Sequence, residues 1–168
     1  HTLPKSGAAV EAAFFGGSFT GIPIEEQSAL MERVQPYISS GRIDGIRLST
    51  RPDYIDDEIL KNLKKYGVTT IELGVQSMCD EVLKSSNRGH TSAHVEYAAK
   101  LIKSYGFSLG LQMMTGLPGD TDERSVYTAE RIIALGPKCV RIYPTLTIAG
   151  TYLEKMYNEG RYVPQTLD

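Results

Sequence analysis

The segments KKYGVTTIELG (64–74) and KSYGFSLGLQM (103–113) repeat one pattern, in which the basic end of a helix is followed by a Tyr-Gly pair and an apolar strand. Lysines are favoured at the negative end of a helix, and glycine commonly ends one. Gly67 and Gly106 stand about 40 residues apart, which is roughly the length of one βα unit with an inserted turn. The repeat therefore predicts successive units that pass from a helix into a buried strand.

The same alternation continues on both sides of the repeat. Strands are predicted at 10–19, 43–50, 69–77, 107–116 and 138–146. Helices are predicted at 24–38, 56–67, 79–86, 92–106, 120–136 and 151–160, with an Asp-x-x-Glu capping box at Asp120. Buried strands that alternate with helices predict an α/β fold with a parallel sheet and right-handed crossovers. Doubly wound and barrel arrangements both fit, and because a closed barrel needs about 250 residues, about five units would form an incomplete one.

Composition and charge exclude several classes of protein and favour a globular domain. The 168 residues are 41% hydrophobic and 23% charged with a net charge of −2, which predicts one globular domain, 1–168, without a global field that attracts nucleic acid or an anionic membrane. No segment has the length of a membrane span or the form of a signal peptide. Two cysteines form no disulfide framework and favour a cytoplasmic location. The chain begins with histidine, and we expect it to be part of a longer polypeptide.

Polar and glycine-rich segments follow the predicted strands. They are GGSFTG (16–21), STRPD (49–53), GVQS (74–77), MTGLPGD (114–120) and YPTLTIAG (143–150). Ligands bind at the carboxyl edge of parallel sheets, because the loops converge there. Each segment alone also fits an ordinary turn, GLPG (116–119) especially, but the five together predict a shared site at this edge.

Common catalytic motifs are absent from the sequence. It contains no GxxxxGK[ST] phosphate loop, no GxGxxG and no HExxH. His90 and His94 have the spacing of two metal ligands on a helix, but His90 precedes the predicted helix and no third ligand is near, so the pattern favours a surface helix start. Glu72 lies inside an apolar strand and needs a partner, for which Arg47 and Arg51 are candidates. The pair could be a structural ion pair or could orient a ligand.

The ordered segments resemble the radical S-adenosylmethionine (SAM) superfamily, in particular its Elongator catalytic subunit-like branch and, more distantly, oxygen-independent coproporphyrinogen III oxidases. The resemblance spans residues 10–163. It rests on AFFGGSFTGIP (13–23), LSTRPDYID (48–56), TIELGVQS (70–77), NRGHT (87–91), GLPGDT (116–121) and RIYPTLTIAGTYLEKMYNEGRY (141–162). It implies an incomplete parallel (β/α) barrel, with about five strands of the family's six-unit partial TIM barrel.

The resemblance also implies a set of cofactor-binding residues. At the end of the first strand, the backbone of Gly16, Gly17 and Ser18 would hold the methionine end of SAM, with serine replacing the family's glutamate. The remaining positions would face the ribose, carboxylate or adenine: Ser49, Arg51, Gln76, Gln112, Met113, Met114, Tyr143 and Thr145. One of the two methionines is expected to be plain core, because neighbours on a strand face opposite ways.

The resemblance finally implies a [4Fe–4S] cluster held by three closely spaced cysteines. This chain has only Cys79 and Cys139, about 60 residues apart, so it offers no cluster ligands, and the expectation is that a preceding segment holds them. The longer parent would generate a 5′-deoxyadenosyl radical with the help of an electron donor, with tRNA or another nucleoside as the substrate to be modified. This chain alone is expected to be inactive and to bind SAM weakly. The sequence singles out no catalytic residue and no metal site.

Two other functions fit the residues. The chain could be a non-catalytic nucleoside- or RNA-binding module on a partial barrel, although the net charge of −2 gives no support to strong RNA binding. It could also be a barrel hydrolase that uses Asp53 and Glu72 as an acid–base pair, although Asp53 has the position of an ordinary turn residue.

Overall fold

A computed structural model describes residues 9–166, which contain five strands and seven α-helices. The strands are β1 (Glu11–Phe14), β2 (Gly45–Thr50), β3 (Val68–Gln76), β4 (Ser108–Thr115) and β5 (Cys139–Pro144). The helices are α1 (Ile24–Glu32), α2 (Gln35–Ser39), α3 (Asp57–Lys65), α4 (Asp80–Ser85), α5 (Ser92–Ser104), α6 (Asp122–Ala134) and α7 (Tyr152–Asn158).

The five strands form one parallel sheet in the order β1-β2-β3-β4-β5. Each strand pairs with the next one along the chain, so the order never reverses as it does in a doubly wound sheet. The sheet is a curled half-barrel, and the predicted incomplete (β/α) barrel is confirmed.

The two faces of the sheet carry different chemistry. Alternate residues of the central strands are buried and apolar, and they pack with the helices in one hydrophobic core; they include Ile46, Leu48, Ile71, Leu73, Leu109 and Leu111. The residues between them carry charged and amide groups on the inner face of the half-barrel, because successive side chains of a strand point to opposite faces. These inner residues include Arg47, Glu72 and Gln112.

Two local predictions from the sequence are wrong. The helix predicted at 24–38 is divided into α1 and α2, because Pro36 has no N–H to continue the helical hydrogen bonds. The cap of α6 is Thr121, whose hydroxyl accepts from the Arg124 N–H. Asp120 instead accepts a hydrogen bond of 2.9 Å from the Gly116 N–H, which stabilises the preceding turn.

Within residues 9–166, none of the helices combines the length and the apolar character needed to cross a bilayer.

Candidate functional site

A cleft of about 630 Å³ opens at the carboxyl ends of β3, β4 and β5. Its walls come from these strand ends, from the loop after α4 and from the segment that leads into α7. Its polar lining includes the side chains of Gln76, Arg88, Gln112, Tyr143 and Thr145. The cleft thus lies at the carboxyl edge of the sheet, where the sequence predicts a shared site.

Gln76 enters the cleft from a strained backbone position. It ends β3 with a φ of +65°, a left-handed conformation that residues other than glycine adopt at a cost of about 1–2 kcal/mol. A bulge between Gly74 and Gln76 shifts the register of β3 against β4 at the same point. Bulges commonly redirect a side chain next to a binding site. The cost is consistent with a side chain that is held in the cleft for function.

Arg88 lines the cleft, although the sequence did not single it out as a site residue. It follows α4, its Nη2 lies 3.0 Å from the Met114 Sδ, and its Nε is buried without a hydrogen-bond partner among residues 9–166. Burial lowers the pKa of Arg88, and the positive charge of Arg51 lowers it further. A guanidinium in a cleft without a carboxylate is a ready partner for an anion. The sequence signal was NRGHT, whose position in space depends on how the loop folds back.

Thr145 offers a second buried polar atom without a partner. Its backbone N–H donates to the Thr115 carbonyl at 2.9 Å, which fixes the loop after β5 against β4. Its Oγ1 is buried and has no partner among the described residues. Buried hydroxyls normally have a hydrogen-bond partner. Arg88 and Thr145 both line the cleft, and each carries a buried polar atom without a partner among the described residues.

The floor of the half-barrel is a charged network below the cleft. Glu72 is fully buried and accepts from Arg47 Nη1 at 2.7 Å and from Gln112 Nε2 at 2.8 Å. Arg141 Nε lies 3.0 Å from the same carboxylate. Burial alone would raise the pKa of Glu72, but the hydrogen bonds from Gln112 and Arg47 and the charges of both arginines hold it below its usual value. Glu72 is therefore ionised near neutral pH.

Of the two partners predicted for Glu72, Arg47 is confirmed and Arg51 is wrong. Arg47 is on the adjacent strand and pairs with Glu72. Arg51 lies beyond the end of β2 and pairs with Asp53 at 2.7 Å, so its guanidinium is held at the rim by a neighbour in sequence. Because that pairing occupies Asp53 and the network occupies Glu72, the two carboxylates do not form the acid–base pair of a hydrolase.

The residues at the end of β1 lie outside the main cleft. Gly17 and Ser18 line a separate depression of about 300 Å³, and Gly16 precedes them with a φ of +106°. The Ser49 hydroxyl lies 3.5 Å from the Gly17 carbonyl oxygen, which brings the ends of β1 and β2 together. A side chain at Gly16 or Gly17 would meet no atom within 4 Å, so bare backbone is exposed here.

The two methionines of β4 face opposite sides, as expected for neighbours on a strand. Met113, which the resemblance assigned to the cofactor site, is 3% exposed and packs in the hydrophobic core, so it is the methionine that belongs to the core. Met114 lines the cleft instead. Of the two methionines, Met114 is therefore the one whose side chain faces the cleft.

The described residues hold no metal site. They contain no group of three or more His, Cys, Asp or Glu side chains arranged to bind an ion. His90 Nε2 lies 3.0 Å from the Val75 carbonyl oxygen and His94 contacts Thr91, so the two rings serve separate structural contacts. Both cysteines are free thiols.

Comparison with known proteins gives concordant results. The sequence profile of the Radical SAM superfamily matches residues 2–132. Elongator complex protein 3 of Schizosaccharomyces pombe is 30% identical over 96% of this chain and 33% of that protein. A tRNA uridine(34) acetyltransferase of Dehalococcoides mccartyi is 32% identical over 84% of this chain and 30% of that protein. The chain thus spans about a third of the length of these relatives.

Solved structures give the same fold. An N-terminally truncated Elp3 of Methanocaldococcus infernus superposes with a TM-score of 0.84 at 29% identity, over 94% of this chain and 42% of that one. The coproporphyrinogen III oxidase HemN of Escherichia coli superposes with a TM-score of 0.70 over 90% of this chain and 34% of that one, and at 20% identity it supports the fold alone.

Proposed function

Because this chain belongs to the radical SAM superfamily, we propose that its cleft binds S-adenosylmethionine for an enzyme of the Elongator-like branch that modifies a nucleoside in tRNA. The observation that carries the proposal is the cleft at the carboxyl edge of the half-barrel, lined by Arg88 and Thr145, each of which has a buried polar atom without a partner among residues 9–166. The tRNA substrate is proposed from relatives named tRNA uridine(34) acetyltransferase.

The cleft fits the chemical groups of SAM. Its carboxylate is an anion, and Arg88 is a partly buried cation whose Nε still has a hydrogen to donate. The side chains of Gln76 and Gln112 offer amides to the ribose hydroxyls, and Tyr143 and Thr145 stand where an aromatic base would be held. The exposed backbone at Gly16 and Gly17, with Ser18, Ser49 and Arg51 nearby, lies outside this cleft and would contact the amino group of the methionine end where that end extends past the cleft towards β1.

These residues bind and orient the cofactor rather than transform it. When bound, SAM supplies the adenosyl group with which this superfamily starts radical chemistry. Arg88 fixes one end by charge, and the two glutamines fix the sugar by hydrogen bonds, so the reactive carbon is held in one place. Met114 and the apolar part of the cleft exclude water from it.

The residues present do not fit an iron–sulfur cluster. The sequence has two cysteines, Cys79 and Cys139, in no shared motif, and the described residues form no metal-binding group. We therefore expect this chain alone not to cleave SAM. The proposal assigns the electron donor and the tRNA substrate to an enzyme that also holds a cluster. The two free thiols fit a reducing cytoplasm.

Isothermal titration of the chain with SAM tests the proposal. We expect weak, saturable binding that Arg88→Met lowers by about tenfold, since a charged hydrogen bond contributes about 1.5–3 kcal/mol. Arg33→Met removes an exposed arginine and is the matched control, with no expected change. Binding that is absent, or equal in the Arg88 and Arg33 variants, would contradict the proposal. Binding of tRNA without SAM would favour the non-catalytic RNA-binding alternative.

A further inference from the structure

One side chain from each of the five strands joins the network on the floor of the half-barrel. From β1 to β5 they are Glu11, Arg47, Glu72, Gln112 and Arg141. Glu72 is the centre, since it contacts three of the other four, and none of its surface is exposed. Gln112 is the member that also lines the cleft, so it connects the buried charges to the ligand site.

The contact with Glu72 determines which way the Gln112 amide faces. An ionised carboxylate only accepts hydrogen bonds, so the Gln112 group that faces it at 2.8 Å must be the Nε2 donor. The lowered pKa of Glu72 keeps that carboxylate ionised. The Gln112 Oε1 therefore points away from Glu72, and no donor among residues 9–166 bonds to it. The amide therefore leaves its Oε1 free to accept a hydrogen bond from a ligand in the cleft, while one of the two Nε2 hydrogens is held by Glu72.

We propose that Glu72 is a positioning residue that holds the Gln112 amide in this orientation, so that the Gln112 Oε1 accepts a hydrogen bond from a ribose hydroxyl of SAM. The inference rests on the proposed function, because it assigns the ligand of the same cleft. It assigns a functional role to a buried carboxylate that would otherwise be part of a structural ion pair.

Replacing Glu72 by glutamine should invert the amide. Glu72 Oε1 accepts from both arginines, Arg47 Nη1 at 2.7 Å and Arg141 Nη2 at 3.2 Å, whereas Oε2 faces one arginine, with Arg141 Nε at 3.0 Å. The single oxygen of a glutamine would therefore keep the most contacts with cations at the Oε1 position. Its NH₂ group would then face Gln112, which would have to turn its oxygen inward to accept. The cleft would be offered a donor in place of an acceptor.

Fluorinated analogues distinguish the two orientations, because fluorine in place of a hydroxyl removes the donor. The probes are S-adenosylhomocysteine and its 2′-deoxy-2′-fluoro and 3′-deoxy-3′-fluoro analogues, titrated calorimetrically into the chain. The wild type should prefer the hydroxyl over fluorine at one of the two positions by about fivefold, the value of one neutral hydrogen bond. In Glu72→Gln the preference should fall below about twofold.

Glu11→Gln is the matched control. It removes a carboxylate from the same network, but Glu11 contacts Arg47, Thr69 and Thr70 and not Gln112. Its hydroxyl preference should equal that of the wild type. A purely structural role of Glu72 would weaken all three ligands alike in both variants, so an unchanged preference in Glu72→Gln refutes the inference.

A second readout needs no ligand. The Gln112 side-chain amide protons, assigned by their loss in Gln112→Leu, should include one shifted downfield and protected from exchange by the carboxylate in the wild type. This signature should vanish in Glu72→Gln, and its absence from the wild type would overturn the inference if Glu72→Gln fails to fold. Failure of the wild type to bind S-adenosylhomocysteine would refute the proposed function, whereas binding without hydroxyl preference would refute only the role of Gln112.

Discussion

Gly110 on β4 lies opposite Glu72 in the sheet register, and Gly110→Ala tests how tightly the floor of the half-barrel is packed. A Cβ at this position would stand 2.6 Å from the Glu72 Cγ and 3.0 Å from the Cys139 Sγ. Carbon atoms in ordinary contact are about 3.5–4.0 Å apart, so Glu72 would have to move by about 1 Å. The carboxylate is held on three sides and has no free space to enter.

The expected cost follows from the bonds that the movement would stretch. A shift of about 1 Å would lengthen the Glu72–Arg47 contact from 2.7 Å beyond hydrogen-bond range. Breaking a buried ion pair costs about 3–5 kcal/mol, and replacing a strand glycine by alanine recovers about 0.5–1 kcal/mol. We expect Gly110→Ala to lower the free energy of unfolding by about 2–4 kcal/mol and the Tm by about 5–15 °C.

Gly74→Ala is the control for this measurement. Gly74 lies on the neighbouring strand β3, and the one close approach of its Cβ would be to the flexible end of the Gln76 side chain, at 2.9 Å, since the Thr50 carbonyl oxygen at 3.6 Å is at an ordinary contact distance. Urea and thermal unfolding followed by circular dichroism should show a loss of less than about 1 kcal/mol for this variant. If the two alanine variants were equally stable, the tight packing of Glu72 against β4 would be refuted.

Three further predictions concern single side chains. Burial lowers the pKa of His90, so the folded state favours the neutral ring. The free energy of unfolding should therefore keep its full contribution from His90 above about pH 6.5 and lose it as the pH decreases through the lowered pKa. His90→Gln should remove this pH dependence in urea unfolding. Gln76→Gly should keep the free energy of unfolding within about 1 kcal/mol of the wild type, because glycine adopts the φ of +65° freely, but it should bind SAM more weakly in a titration. Gln76→Ala should lower both the free energy of unfolding and the affinity for SAM. Thr121→Ala should cost about 1 kcal/mol in thermal unfolding through the lost cap of α6, and an effect near zero would contradict that cap.

The sequence carried enough information for the sheet and for the edge where the cleft lies. Helix ends such as KKYG (64–67) and the apolar strands after them are local signals, and all five predicted strands exist. The partner of Glu72 on the adjacent strand, Arg47, was also within reach, since neighbouring parallel strands place such residues side by side.

The features that the sequence did not predict depend on contacts between residues that are far apart in the chain. Arg141 reaches Glu72 past the intervening strand β4, which no spacing in the sequence reveals. Arg88 lies in the cleft because the loop after α4 folds over the sheet edge. Which of Met113 and Met114 faces the ligand depends on the register of β4, and strand register is a tertiary property.

The floor network has a consequence for how the chain chooses its topology. Read across the sheet, its charges are negative on β1, positive on β2, negative on β3, neutral on β4 and positive on β5. Exchanging β1 with β2 would bring Glu11 beside Glu72, and a single-residue slip would place a charge in the apolar layer. The alternation of charge therefore helps to specify the position of each strand in the sheet. The native strand order places the charges of β1, β2 and β3 beside opposite charges, so an exchange of β1 with β2 would be opposed by repulsion between Glu11 and Glu72.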